Sequence, residues 1–395
     1  MSPLVGLMLV LLLLWSVLGG PPGGQSPRQE SSGEPDSQVR EIHTQAPSGE
    51  GGVFPETVLE APEDAGGRWT EVNSRAIEAL QAGRFEEAIE LFEECHAAEP
   101  GEAIFAGNLA EALARMAREI YEATAELGLP IELLERALLL SPGRDDLRQL
   151  LARWKKLAAA EDGFWTDETA HFRLSYDGAR VDILNNGHTI LTTALEEAYA
   201  EFALWLNHDP VRVGNHKIRV VLYGRSEFAE LTGVGHWASG VYDGVVRIPV
   251  VDFRRERESL VLVLRHELVH AFLRSAGGRA LPAWLNEGLA QWCEHETPRS
   301  RSAAVARARK LLATQPLFPL EKLHGTLSAW TDPAEIARGY AQALAFVAYI
   351  DRWYGAGVLL RMIEGCRLGV ASSETFAQRI GVNLDTVLQD FQAGL

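Results

Sequence analysis

At 395 residues the chain is long enough for two or three domains. Its 47% hydrophobic and 23% charged residues argue against both a wholly disordered chain and a protein of many membrane spans. A formal net charge of -17 argues against nucleic acid as a partner, because phosphate backbones are held by clustered Lys and Arg.

The first element in chain order is an uncharged run from Leu4 to Leu18, broken only by Gly6 and Ser16. It suits a signal-peptide core and falls short of the roughly 20 residues that span a bilayer. No Lys or Arg precedes it, and Leu18-Gly19-Gly20 before Pro21 is a poor cleavage site. Residues 1–19 therefore read either as a cleaved signal or as a retained membrane anchor. Both place the rest of the chain outside the cytoplasm: periplasmic, secreted or membrane-anchored. Residues 20–67 are rich in Gly, Pro, Ser and Glu, have no hydrophobic period, and read as a disordered linker.

Helical periodicity occupies residues 68–161. Ala88, Phe92, Cys95 and Pro100 hold the spacing of packing positions in a tetratricopeptide repeat, with Gly83-Arg84-Phe85 as the preceding turn. Leu134, Ala137 and Pro142 form a second, poorer copy 42 residues on, the repeat period of about 34 plus an eight-residue insertion. The region resembles a short tetratricopeptide array, which implies a groove for a protein partner. A generic helical bundle satisfies the same periodicity.

Residues 162–395 read as an α+β domain with a small mixed sheet and a mostly helical second half. Phe172, Leu174 and Tyr176 alternate as a strand ending at Asp177-Gly178. A helix from about Asp182 to Asn207 carries Leu191, Leu195, Ala198, Tyr199, Phe202 and Leu206 on one stripe. Ile218, Val220 and Leu222 alternate again, and Val241 to Val250 predicts a third strand that lies at an edge or stops at Pro249.

The chemistry is carried by His266-Glu267-Leu268-Val269-His270, inside a helical stretch from about Arg255 to Ser275 ended by Gly277-Gly278. Residues four apart on a helix share a face, so two imidazoles project together to grip one Zn²⁺, with Glu267 beside them to activate water. Pro282 to Ala290 reads as a second helix whose Glu287 supplies a third ligand. The metzincin alternative needs glycine and histidine where Leu273 and Ala276 stand, and is excluded. A purely structural zinc calls for four protein ligands and has no use for Glu267. The cysteines, Cys95, Cys293 and Cys366, are odd in number and far apart, so they specify neither a disulfide framework nor a four-thiolate site. Cys293, near Glu287, reads as a small buried apolar residue rather than a ligand.

From Phe164 to Leu395 the sequence resembles the gluzincin peptidases, and most closely the peptidase MA-like family. The resemblance lies in the helical His-Glu-x-x-His, in Trp284 to Ala290 with its Asn-Glu-Gly, and in Tyr340-Ala341-Gln342 leading to Phe346 and Tyr349. It implies hydrolysis of a peptide or protein substrate, with His266, His270 and Glu287 as Zn²⁺ ligands and Glu267 as general base. The segment Gly240 to Val250 looks like the sheet edge that such enzymes place above the metal, where an extended substrate adds as another strand. Tyr340, on a helix introduced by Asp332 and Pro333, is the candidate oxyanion donor. It also shares helical spacing with Ile336, Leu344 and Val347, as a core residue would. Thermolysin-like enzymes orient a ligand histidine with an aspartate where this chain has Gln291, a weaker acceptor. His236, beside Trp237, is a candidate cleft residue, whereas His295 and His324 read as surface or structural. The rival function is a tetratricopeptide scaffold whose metalloprotease-like domain no longer cleaves.

Overall fold

The computed structural model describes residues 67–180, 183–232, 239–327 and 330–395. The expected leader, nearly all of the linker, and His236 with Trp237 lie outside the described residues. The described residues are mostly helical, with one small mixed sheet. The described residues fall into two compact units, one of residues 67–232 with 239–276, the other of residues 277–395. The boundary expected at 161/162 lies inside the first.

The first unit begins with five helices, α1 (Gly67–Gln81), α2 (Phe85–Ala98), α3 (Ala103–Thr124), α4 (Gly128–Leu140) and α5 (Asp145–Glu161), each packed on its neighbour in the chain. Gly83 at φ +73° makes the turn before α2, whose first turn carries Glu86 and Glu87 against the helix dipole. Pro100 and Pro142 follow α2 and α4, where a helix cannot continue. Ala88, Phe92, Cys95, Leu134 and Ala137 are all buried, so the apolar period is the packing face.

The sheet follows, built from β1 (Trp165–Glu168), β2 (Phe172–Tyr176), β3 (Ile218–Tyr223), β4 (Val241–Tyr242) and β5 (Val246–Pro249) in the order β1-β2-β3-β5-β4. The inner pairs β2/β3 and β3/β5 are parallel, and the outer pairs are antiparallel. One face carries Phe172, Leu174, Tyr176, Val220, Leu222 and Ile248, all buried. Helix α6 (His188–Leu206) packs on β2 and buries the whole expected stripe from Leu191 to Leu206. It begins later than the periodicity predicts, because Asn186 at φ +89° cannot extend a helix. Two further helices of this unit are α7 (Pro210–Gly214) and α8 (Arg225–Thr232). Helix α9 (Phe253–Gly277) joins the apolar layer through Phe272, whose ring meets Tyr199 at 4.9 Å and Phe202 at 5.9 Å.

The third strand expected over Val241–Val250 is two strands. Asp243 and Gly244, the latter at φ +100°, reverse the chain, so β5 lies inside the sheet between β3 and β4, and only the two-residue β4 forms that edge. Pro249 is the last residue of β5, where it needs no ladder N–H of its own. The opposite edge, β1, is mostly exposed and lacks the apolar alternation that would mark it in the sequence.

The second unit contains α10 (Ala283–Glu294), α11 (Pro298–Leu312), α12 (Pro333–Tyr354), α13 (Ala356–Arg367), α14 (Ser372–Ile380) and α15 (Leu384–Ala393). Phe346 of α12 is its centre, with Trp284 at 5.3 Å and Phe391 at 5.6 Å. All three cysteines are buried, and burial pushes the Cys95 thiol up to about 11. Among the described residues no single helix is long and apolar enough to cross a membrane.

Candidate metal centre

Helix α9 starts where Asp252 Oδ1 accepts from the backbone N–H of Arg254 and Arg255 at 3.0 and 3.3 Å, while Glu256 reaches back to Val251 and Asp252. Its first turns are largely exposed and charged; from Leu264 onward it is enclosed. Arg265, only 4% exposed, fixes its rotation on α6 by an ion pair to Glu201 at 2.7 Å and by lying over the Phe202 ring at 5.0 Å. The next residues are therefore delivered in a set orientation: His266 and His270 are half-buried, their ring centroids 4.9 Å apart and nearly perpendicular, and Glu267 is buried.

Glu287 is buried on α10, whose first N–H, that of Ala283, is capped by the His324 carbonyl at 3.0 Å. The following residue explains the glycine of Asn-Glu-Gly. A Cβ on Gly288 would meet the Ala343 carbonyl oxygen at 2.5 Å and Val347 Cγ2 at 2.6 Å, so α10 and α12 touch there backbone to backbone. Gln291 reinforces the crossing: its amide nitrogen donates to the carbonyls of Glu287 at 3.2 Å and Tyr340 at 3.0 Å. Tyr340 is half-buried, whereas Ile336, Leu344 and Val347, which share its helical spacing, are buried. Asp332 caps α12 through the N–H groups of Ala334 and Glu335. Gln342, fully buried, clamps the Phe318 backbone in both directions at 2.7 and 2.8 Å.

One donor atom from each of His266, His270 and Glu287 lies within 4.8 Å of the others, a group that could hold a metal ion. Two imidazoles and one carboxylate suit zinc with one position left open.

Residues 236–395 match the family model of the Peptidase MA superfamily.

The matched stretch takes in the β4–β5 hairpin, the His-Glu-x-x-His helix and the whole second unit, and it suggests a metallopeptidase-like function. No curated protein matches the chain. Of the weaker candidates, Cys293 is buried as expected, His324 is exposed and serves through its backbone carbonyl, and His295 lies near Glu294 at 3.5 Å. The sequence reading passed over two residues at the site. Arg265 stands beside the motif but carries no pattern of its own. Gly240 precedes β4, and an isolated glycine at a strand is a signal of close backbone approach.

Proposed function

We propose that the chain is a zinc-dependent peptidase of the gluzincin type, with His266, His270 and Glu287 holding the metal and Glu267 as general base. The observation that carries this reading is the gathering of three ligand-type side chains beside a glutamate at the motif position of general bases. When bound, zinc supplies Lewis-acid polarisation of the scissile carbonyl and lowers the pKa of water to about 7. Glu267 takes the proton of the attacking water and passes it to the leaving amine. Tyr340 donates to the carbonyl oxygen as that atom gains charge. The five-helix region serves as a tetratricopeptide-like platform for a protein partner; the 22-residue length of α3 supports an eight-residue insertion between the two copies. Export through the Leu4–Leu18 run remains part of this proposal.

The test is metal analysis of the purified chain together with cleavage of a diverse peptide library, with and without chelator. Zinc at one per chain and chelator-sensitive cleavage are expected. A metal-replete chain that cleaves nothing would favour the scaffold reading, and chelator-insensitive cleavage would remove the metal from the mechanism.

A further inference from the structure

Gly240 precedes β4 and faces Glu267. A Cβ built on it would lie 2.8 Å from both Cγ and Oε1 of Glu267 and 2.9 Å from Cδ1 of Ile248, well inside the contact distance of packed carbons. All three atoms belong to side chains, none to backbone. A larger residue would therefore be admitted by swinging the Glu267 carboxylate aside, not by unfolding the chain. The bare backbone at 240 is one wall of the space that this carboxylate occupies.

The wall is held from the other strand of the hairpin. Val241 pairs with Arg247, so Arg247 sits opposite the residue that follows Gly240. Arg247 is fully buried and bonds through all three nitrogens: Nε to Asp243 at 3.1 Å, Nη1 to Glu161 at 2.7 Å and to the Tyr223 hydroxyl, Nη2 to the Tyr121 hydroxyl at 2.6 Å. Asp243 also accepts from Arg153 at 3.4 Å. At the hairpin turn a Cβ on Gly244 would lie 3.8 Å from Glu122 Cα, and the Glu122 carboxylate pairs with Arg274 of α9 at 2.6 Å. Tyr121 and Glu122 belong to α3, Arg153 and Glu161 to α5. A buried guanidinium is tolerated only where its partners are in place, so this hairpin has one seating, and the helices define it.

We propose that the β4–β5 hairpin, seated on α3 and α5 through Arg247, sets the position of Glu267 by way of Gly240, which makes the helical region a working part of the catalytic apparatus. The proposal rests on Glu267 being the general base. Gly240, Arg247 and Tyr121 are positioning residues.

Gly240→Ala is expected to fold and keep its metal while kcat falls about 10- to 10²-fold, the scale of a base displaced by about 1 Å, with KM little changed. In a Glu267→Gln background the same substitution leaves the residual rate unchanged, since the group it displaces no longer acts. Tyr121→Phe, which removes one acceptor of Arg247, lowers kcat several-fold and is likewise silent in the Glu267→Gln background. Equal losses in both backgrounds, or parental kcat in Gly240→Ala, overturn the proposal. A readout independent of catalysis is the melting temperature of Gly240→Val. It falls by several degrees in the parent and by less than half as much in Glu267→Ala, where truncation opens the space. If the parent cleaves no peptide, the peptidase reading fails, and the thermal cycle still decides whether Gly240 seats Glu267. Equal melting shifts in both backgrounds sink it.

Discussion

The polar face of the sheet and the candidate metal group on α9 and α10 both enclose polar side chains, and they do so on opposite terms. On the sheet the buried cations have matched anions: Arg247 meets Glu161 and Asp243, and Arg219 meets Glu161 at 2.7 Å. Burial works against ionisation of Glu161, but Arg247, Arg219 and the Tyr223 hydroxyl outweigh it and hold that carboxyl below its usual range. Burial likewise opposes the charge on Arg247, and Asp243, the two tyrosines and Glu161 raise its pKa well above the ordinary value. Tyr121, pushed up to about 12 by burial, stays neutral and accepts. In the second cluster His266, His270 and Glu287 are all electron-pair donors. Matched charge builds architecture; gathered donors make a place for a cation.

That contrast is tested most severely by the two glutamates of the metal centre. Glu267→Gln, nearly isosteric, is expected to keep the metal while turnover falls by at least about 10²-fold, the scale of general base catalysis. Glu287→Ala should lose metal affinity, because two imidazoles cannot replace the missing carboxylate. Metal per chain and peptide cleavage at saturating zinc separate the two roles. Equal metal loss in both variants would return the site to a structural role.

The matched cluster should respond in the other currency. Glu161→Ala leaves Arg247 and Arg219 without a shared partner and is expected to cost about 3–5 kcal/mol of stability, as breaking a buried pair does. Urea unfolding reads this directly, and metal content should be unaffected. The pH dependence has a definite sign. Because the folded-state pKa of Glu161 is depressed from its ordinary 4.5, its contribution is fully present above that value and is lost as pH falls through the folded-state pKa. A parent chain no less stable under acid than at neutral pH would contradict the depressed pKa.

The same contrast explains what could be read from the sequence. His266, Glu267 and His270 sit within five residues of one helix, and Glu287 lies on the next helix, so local periodicity was enough to bring them forward. The stripe from Leu191 to Leu206 was legible for the same reason. The cluster around Arg247 draws on Tyr121, Glu161, Tyr223 and Asp243, residues up to 126 positions apart, none in a pattern. Alternation in β2 and β3 marks Arg173, Ser175 and Arg219 as a solvent face. The structure turns that face toward α3 and α5: Arg219 donates to the Ala125 carbonyl beyond α3 and pairs with Glu161. The split of β4 from β5 was missed because Asp243-Gly244 reverses the chain inside a run that is otherwise apolar but for Arg247.

Tyr340 carries the next effect in size. If its hydroxyl supports the developing negative charge, Tyr340→Phe lowers turnover by about 2.7–4 kcal/mol of transition-state energy with metal content unchanged. Its half-burial, beside fully enclosed Leu344 and Val347, favours that role over packing. Steady-state kinetics on a peptide substrate decides it: unchanged turnover assigns Tyr340 to packing.

The smallest expected effect concerns a glycine that touches backbone where Gly240 touches side chains. At Gly288 the nearest neighbour is the Ala343 carbonyl oxygen, 2.5 Å from an added Cβ, and a helix backbone cannot rotate out of the way as a carboxylate can. Gly288→Ala must therefore part α10 from α12, at an overpacking cost of about 1–3 kcal/mol. Glu287 is the preceding residue and moves with α10, and the separation also loosens the Gln291 bond to the Tyr340 carbonyl. The expected signature is reduced stability in urea accompanied by weaker metal binding in a competition titration, although no ligand has been changed. Reduced stability with parental metal affinity would mean that Glu287 is positioned by something other than this crossing. Parental stability would mean that the close contact at Gly288 does not bear on the fold.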